Sequence, residues 1–103
     1  DLHVRWRETQ MSEPDPWDDI SYVISSRYRI ATLRRLSDGP ATPSLIADET
    51  DLSIAHVSRA LQELRDADLV TLLVSENRRK GRVYGITDEG LEVWETIEAE
   101  NML

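Results

Sequence analysis

No cysteine occurs in the 103 residues. That excludes disulfides, zinc-thiolate sites and thiol catalysis, and it suits a reducing cytoplasm. No apolar run approaches the roughly 18 residues that a spanning helix needs, and no charged-then-apolar signal segment opens the chain. The sequence therefore reads as a soluble cytoplasmic domain. Histidine is limited to His3 and His56, and no glycine-rich phosphate loop is present, which leaves little for acid-base, metal or nucleotide chemistry. An enzyme is the least supported class, and no cofactor or metal is expected. At this length one small domain is all the chain can hold, and extra burial by dimerisation would help it.

Positive charge is also scarce, and its placement is informative. Lys80 is the single lysine in a chain of net charge -8. Residues 1 to 52 carry net -4, residues 53 to 85 net +2, and residues 86 to 103 net -6. Only the middle segment is positive, so overall acidity does not argue against a nucleic-acid partner there. Abundant Asp and Glu with almost no Lys also resembles halophile proteins, which stay soluble in concentrated salt by surface charge.

What is present is a series of short elements with clear punctuation. "DLHVRWRETQ" lacks periodicity and precedes "MSEPDP", so residues 1–14 are expected to be a leader or N-terminal extension, with Met11 a candidate start. Residues 15–103 are expected to form the domain. Asp15, Pro16, Asp18 and Asp19 mark a helix start, followed by an apolar stripe of Trp17, Ile20, Val23 and Ile24. "SSRYRIATLRRLSDGP" either restarts a helix at Ser26 or continues the first, with Ile30, Leu33 and Leu36 inward and Gly39-Pro40 as the stop.

Two short helices around one tight turn follow. Thr42 caps the first, with Pro43 at its first position and Leu45, Ile46 and Ala47 inward; Leu52 is the buried turn residue. Ser53 caps the second, in which Ile54, Val57, Leu61 and Leu64 share one face that must be core. The outer face carries Ala55, Ser58, Arg59 and Gln62, with His56 on its flank. This is a helix-turn-helix pattern. "DLVTLLVS" and "RVYGIT" then predict two strands, joined by the polar "ENRRKG" into a hairpin with a basic tip. Thr87 caps a last helix with Leu91, Trp94, Ile97 and Met102 or Leu103 on one face and glutamates on the rest. The fold class is mainly α with a small β-hairpin (α+β).

Over residues 20 to 100 this order resembles the winged-helix transcriptional regulators of the MarR, ArsR and PadR type. The residues carrying the resemblance are "TPSLIADETDLSIAHVSRALQELRDADLV" and "VYGITDEG". One departure is Asp68, where the family usually has Gly. A left-handed backbone is commonly needed there, which Asp tolerates at a small cost.

The resemblance implies a sequence-specific regulator of double-stranded DNA, with a recognition helix (53–67) in the major groove and a wing (76–82) on the backbone or minor groove. Small side chains let a helix N-terminus enter the groove, and its NH groups favour phosphate. Candidate DNA contacts are Thr42, Ser53, Ala55, His56, Ser58, Arg59 and Gln62, with Arg78, Arg79, Lys80 and Arg82 on the wing. Arg59 and Gln62 are the base readers, since Arg suits guanine and Gln adenine, while Ser53 and Ser58 suit phosphate. Each has a plainer alternative: Arg59 pairing with Glu63 one turn on, or a basic loop tip that is only soluble. Arg27, Arg29, Arg34 and Arg35 are candidates for flanking phosphate, with solvation as the favoured reading. A homodimer seam is expected from Trp17, Ile20, Leu91, Trp94 and Ile97 on the terminal helices, the plainer alternative being that Leu91, Trp94 and Ile97 cap the domain's own core. Lack of Cys argues against metal sensing, and no residue points to an effector. The alternative function is a winged-helix module for protein-protein contacts in a transcription or chromatin assembly.

Overall fold

A computed structural model describes residues 16–73 and 82–101. Within them the order is α1 (Pro16–Ile24), α2 (Arg27–Ser37), α3 (Pro43–Thr50), α4 (Ile54–Asp66), β1 (Val70–Leu72), β2 (Tyr84–Ile86) and α5 (Asp88–Ala99). The chain breaks between α1 and α2 rather than running through. Ser26 takes an extended conformation and its hydroxyl accepts from Arg29 N, so it caps α2 instead of continuing α1. Thr42, Ser53 and Thr87 cap α3, α4 and α5 in the same way, accepting from Leu45 N, His56 N and Gly90 N. Among the described helices, four starts therefore rest on hydroxyl caps that the sequence spells out.

Leu33, Leu36, Ile46, Val57, Leu61, Leu64 and Leu69 are buried at the centre, joined by Ile20, Val23, Val93, Trp94 and Ile97 from the terminal helices. Burying such side chains supplies about 1.5–3 kcal/mol each before chain entropy is subtracted. β1 and β2 pair antiparallel with Val70 opposite Ile86 and Leu72 opposite Tyr84, and Leu73 N to Val83 O extends the ladder. Ala41, just past the Gly39-Pro40 stop, pairs with Tyr84 through both backbone bonds (3.0 and 2.9 Å). It adds a single-residue third arm that the sequence did not suggest. Asp68 has φ 64°, the left-handed conformation expected of it.

Three inward assignments are corrected. Ile54 is 52% exposed, although its helical angle matches Val57 and Leu61. Periodicity fixes angle but not position along the axis, and the first turn of α4 stands clear of the core. Leu45 is exposed because α3 has eight residues and fully buries only Ile46. On α5 the buried stripe is Gly90, Val93, Trp94 and Ile97, leaving Leu91 37% exposed. Gly90 sets that rotation: a Cβ on it would lie 2.1 Å from the Leu69 carbonyl oxygen, so the bare glycine lets α5 press against the backbone before β1. Met102 and Leu103 lie outside the described residues.

Candidate nucleic-acid interface

The helix-turn-helix is built by α3 and α4, with Asp51 closing α3 in a left-handed conformation (φ 60°) and Leu52 partly buried against the core. Val57, Ala60, Leu61 and Leu64 fasten α4 to the body. Ala55, His56, Ser58, Arg59 and Gln62 are all exposed, which brings the helix candidates onto one outward surface. Ser53 is exposed too, but its hydroxyl is engaged, accepting from His56 N at 3.2 Å and lying 2.9 Å from His56 Nδ1. Thr42 is half-buried, and its hydroxyl accepts from Leu45 N at 3.2 Å. Gln62 Nε2 donates to Asp66 Oδ1 at 3.0 Å.

The pairing of Arg59 with Glu63 does not form. Glu63 Oε1 instead accepts from Arg29 Nη1 at 2.9 Å. Arg29 is not solvated: it also donates from Nε to Tyr22 O at 2.7 Å and from Nη2 to Ser25 Oγ at 2.7 Å, and its guanidinium lies 4.0 Å from the Tyr22 ring centroid. One side chain thus ties the end of α1, the start of α2 and the C-terminal part of α4. Arg59 is left without an ion pair or hydrogen bond among the described residues.

Arg35 is also structural, paired with Glu49 of α3 and donating to Gly39 O at 3.0 Å. Arg34 remains exposed, with its guanidinium 5.5 Å from the Trp94 ring centroid.

Sequence reading missed two features of the outer surface of α4. Tyr28, in the first turn of α2, stacks on His56 with ring centroids 4.2 Å apart and planes 14° from parallel. Arg27 in turn donates to Tyr28 Oη at 3.2 Å. The signal was the aromatic between two arginines in "RYR", but nothing local says which residue on α4 it meets. Ile54 is the other, an exposed apolar side chain at the first position of α4.

Of the wing, Arg82 is described and exposed, whereas Arg78, Arg79 and Lys80 lie outside the described residues. Of the expected seam, Ile20, Trp94 and Ile97 are at most 2% exposed within this chain's own core. They present no surface to a partner, because they fill the space where α5 packs against α1 and α2. Trp17 (53%) and Leu91 remain exposed. Among the described residues no cluster of three or more His, Asp or Glu is placed to hold a metal ion, and no helix is long and apolar enough to cross a membrane.

The family model for the HVO_A0261 N-terminal domain matches residues 17–101. No curated protein matches the sequence. Among solved structures, a double mutant of ZitR from Lactococcus lactis aligns with TM-score 0.66 at 21% identity, over 75% of this chain and 53% of that one. NMB1585, a MarR family regulator from Neisseria meningitidis, aligns with TM-score 0.66 at 20% identity over 75% and 55%. The homodimeric winged helix-turn-helix DNA-binding domain of Mb0332 from Mycobacterium bovis aligns with TM-score 0.67 at 20% identity over 85% and 80%. This chain spans about half the length of the ZitR and NMB1585 chains. Among the described residues, five helices with an antiparallel hairpin make the fold that of winged-helix transcription regulators.

Proposed function

This chain belongs to the HVO_A0261 N-terminal domain family, and we propose that it is a non-enzymatic transcription regulator that binds double-stranded DNA with α4 in the major groove. The observation that carries this reading is the outer face of α4. Its inner positions are spent on the core, while Ala55, Ser58 and Arg59 are exposed and Arg59 is left without the acidic partner that would explain it as an ordinary surface residue. Small side chains there admit the helix to a groove about 12 Å wide, and an uncommitted guanidinium can meet guanine in a bidentate way. Ile54 adds an apolar contact suited to a thymine methyl. Gln62 reads adenine in this scheme by exchanging Asp66 for the base, at some cost in affinity. Ser53 and Thr42 act through their caps, aiming backbone NH groups at phosphate. The wing, with Arg78, Arg79, Lys80 and Arg82, supplies backbone or minor-groove contacts.

A shift assay tests it. Arg59→Ala should weaken binding to a selected duplex by about 1–3 kcal/mol and to random duplex much less. Equal losses on the two would remove base reading, and a parent that binds no duplex would favour the protein-contact role. The chain is further proposed to pair with a second copy through its terminal helices, where Trp17 and Leu91 stay exposed. Light scattering that returns the mass of a single chain would refute that.

A further inference from the structure

A histidine on an exposed helix surface ordinarily samples several rotamers, and a protein that needs it in one place must hold it there. His56 is held twice. Its ring lies flat against Tyr28 of α2, 4.2 Å between centroids, and its Nδ1 is 2.9 Å from Ser53 Oγ. Tyr28 is itself steadied by Arg27, whose guanidinium donates to the phenol oxygen at 3.2 Å and sits 5.0 Å from the ring centroid. With one ring face and one nitrogen engaged, Nε2 is the ring nitrogen left without a partner among the described residues.

The chemistry of that nitrogen follows from the cap. Ser53 Oγ already accepts from His56 N; where it gives its own proton to Nδ1, the proton of the neutral ring lies on Nε2. In the imidazolium form Nε2 carries a proton as well. In both of these forms the first turn of α4 presents an N–H donor in a fixed place, suited to a phosphate oxygen or to guanine O6 or N7.

We propose that Tyr28, which lies outside the helix-turn-helix, is a positioning residue for DNA recognition: it fixes His56 so that Nε2 meets a hydrogen-bond acceptor of the duplex. This rests on the DNA-binding reading above. Preorganisation of this kind raises affinity by removing the cost of ordering the ring on binding. Removing an aromatic stack is expected to weaken binding about 3- to 10-fold.

The test uses the full chain and fluorescence anisotropy, with a duplex that the parent enriches from a random pool and with random duplex. Tyr28→Ala should weaken binding to the enriched duplex about 3- to 10-fold, His56→Ala at least as much, and the double variant no more than His56→Ala. Tyr28→Phe keeps the ring and should keep the parent's affinity. In the free protein, the ring-current shift of the His56 Hε1 proton should persist in Tyr28→Phe and vanish in Tyr28→Ala. If Tyr28→Ala does not fold, Tyr28→Leu fills the space without a ring and takes its place. A loss of similar size on both duplexes assigns the acceptor to phosphate; a loss confined to the enriched one assigns it to guanine. Additive losses in the double variant, or parental affinity in Tyr28→Ala, would overturn the positioning role while leaving DNA binding intact. A parent that binds neither duplex would remove both.

Discussion

Replacing Gly90 by Ala sets two effects of opposite sign against each other. In an isolated helix the change should help, since Gly is about 0.8–1.0 kcal/mol worse than Ala in a helix interior. Here the added Cβ would sit 2.1 Å from the Leu69 carbonyl oxygen, 3.0 Å from its carbon and 2.8 Å from Ile86 Cγ1. Ordinary carbon contacts are about 3.5–4.0 Å, so the shortfall is more than about 1 Å against a backbone atom that no rotamer change can move. That atom is also anchored: Leu69 O accepts from Thr87 N at 3.0 Å, while Thr87 Oγ1 donates to Asp68 O at 2.8 Å and accepts from Gly90 N at 3.0 Å. α5 must retreat, stretching its own cap and lifting Val93, Trp94 and Ile97 from the core. Overpacking costs about 1–3 kcal/mol and a weakened cap about 1, against a gain of at most about 1. The expected net loss is about 1–3 kcal/mol. For a domain this size that lowers the melting temperature by roughly 5–20 °C. Circular dichroism melts and urea titrations at fixed protein concentration measure it. An unchanged or raised midpoint would mean that helix propensity wins and that the close approach to Leu69 does not set the packing of α5.

Three further outcomes are expected. Changing Arg78, Arg79, Lys80 and Arg82 together to Ser should flatten the slope of log affinity against log salt by about 0.9 for each phosphate no longer neutralised; parental affinity at two salt concentrations would take the wing out of the mechanism. Thr32 is buried and its hydroxyl has no hydrogen-bond partner among the described residues, so Thr32→Val should stabilise by about 1 kcal/mol, and a lower midpoint in a thermal melt would contradict this. Burial, then the nearby charges of Asp18 and Asp68, raises the Asp19 carboxyl above its ordinary value of 3.8. The fold therefore disfavours its ionised form, a penalty absent below the unfolded value, growing as pH rises through the window up to the folded value, and full above it. Asp19→Asn should raise the urea midpoint at neutral pH and leave it unchanged near about pH 3. The same gain at both pH values would rule out ionisation as the cause.

Where helices begin, and which residues face away from them, follows from the order of residues alone. Ser, Thr and Pro caps are local chemistry, each satisfied within three residues, so Thr42, Ser53 and Thr87 could be read directly and their bonds form as expected. Periodicity likewise placed Val57, Leu61 and Leu64 inward and Ala55, Ser58, Arg59 and Gln62 outward, because angle around a helix follows from spacing. The positive φ of Asp68 was implied by the family resemblance, which usually has Gly there. Packing settled whatever depends on which element lies opposite. Glu63 lies four residues from Arg59 yet pairs with Arg29, 34 residues away in sequence, because α2 crosses α4 on that flank. The same crossing sets Tyr28 against His56. Ile54 escapes the core because the body ends before the first turn of α4. Trp94 and Ile97 turn into this chain, leaving Leu91 at the surface, because a glycine permits α5 to touch backbone. Spacing along the chain carries angle and cap chemistry; distance between elements is fixed only when they pack.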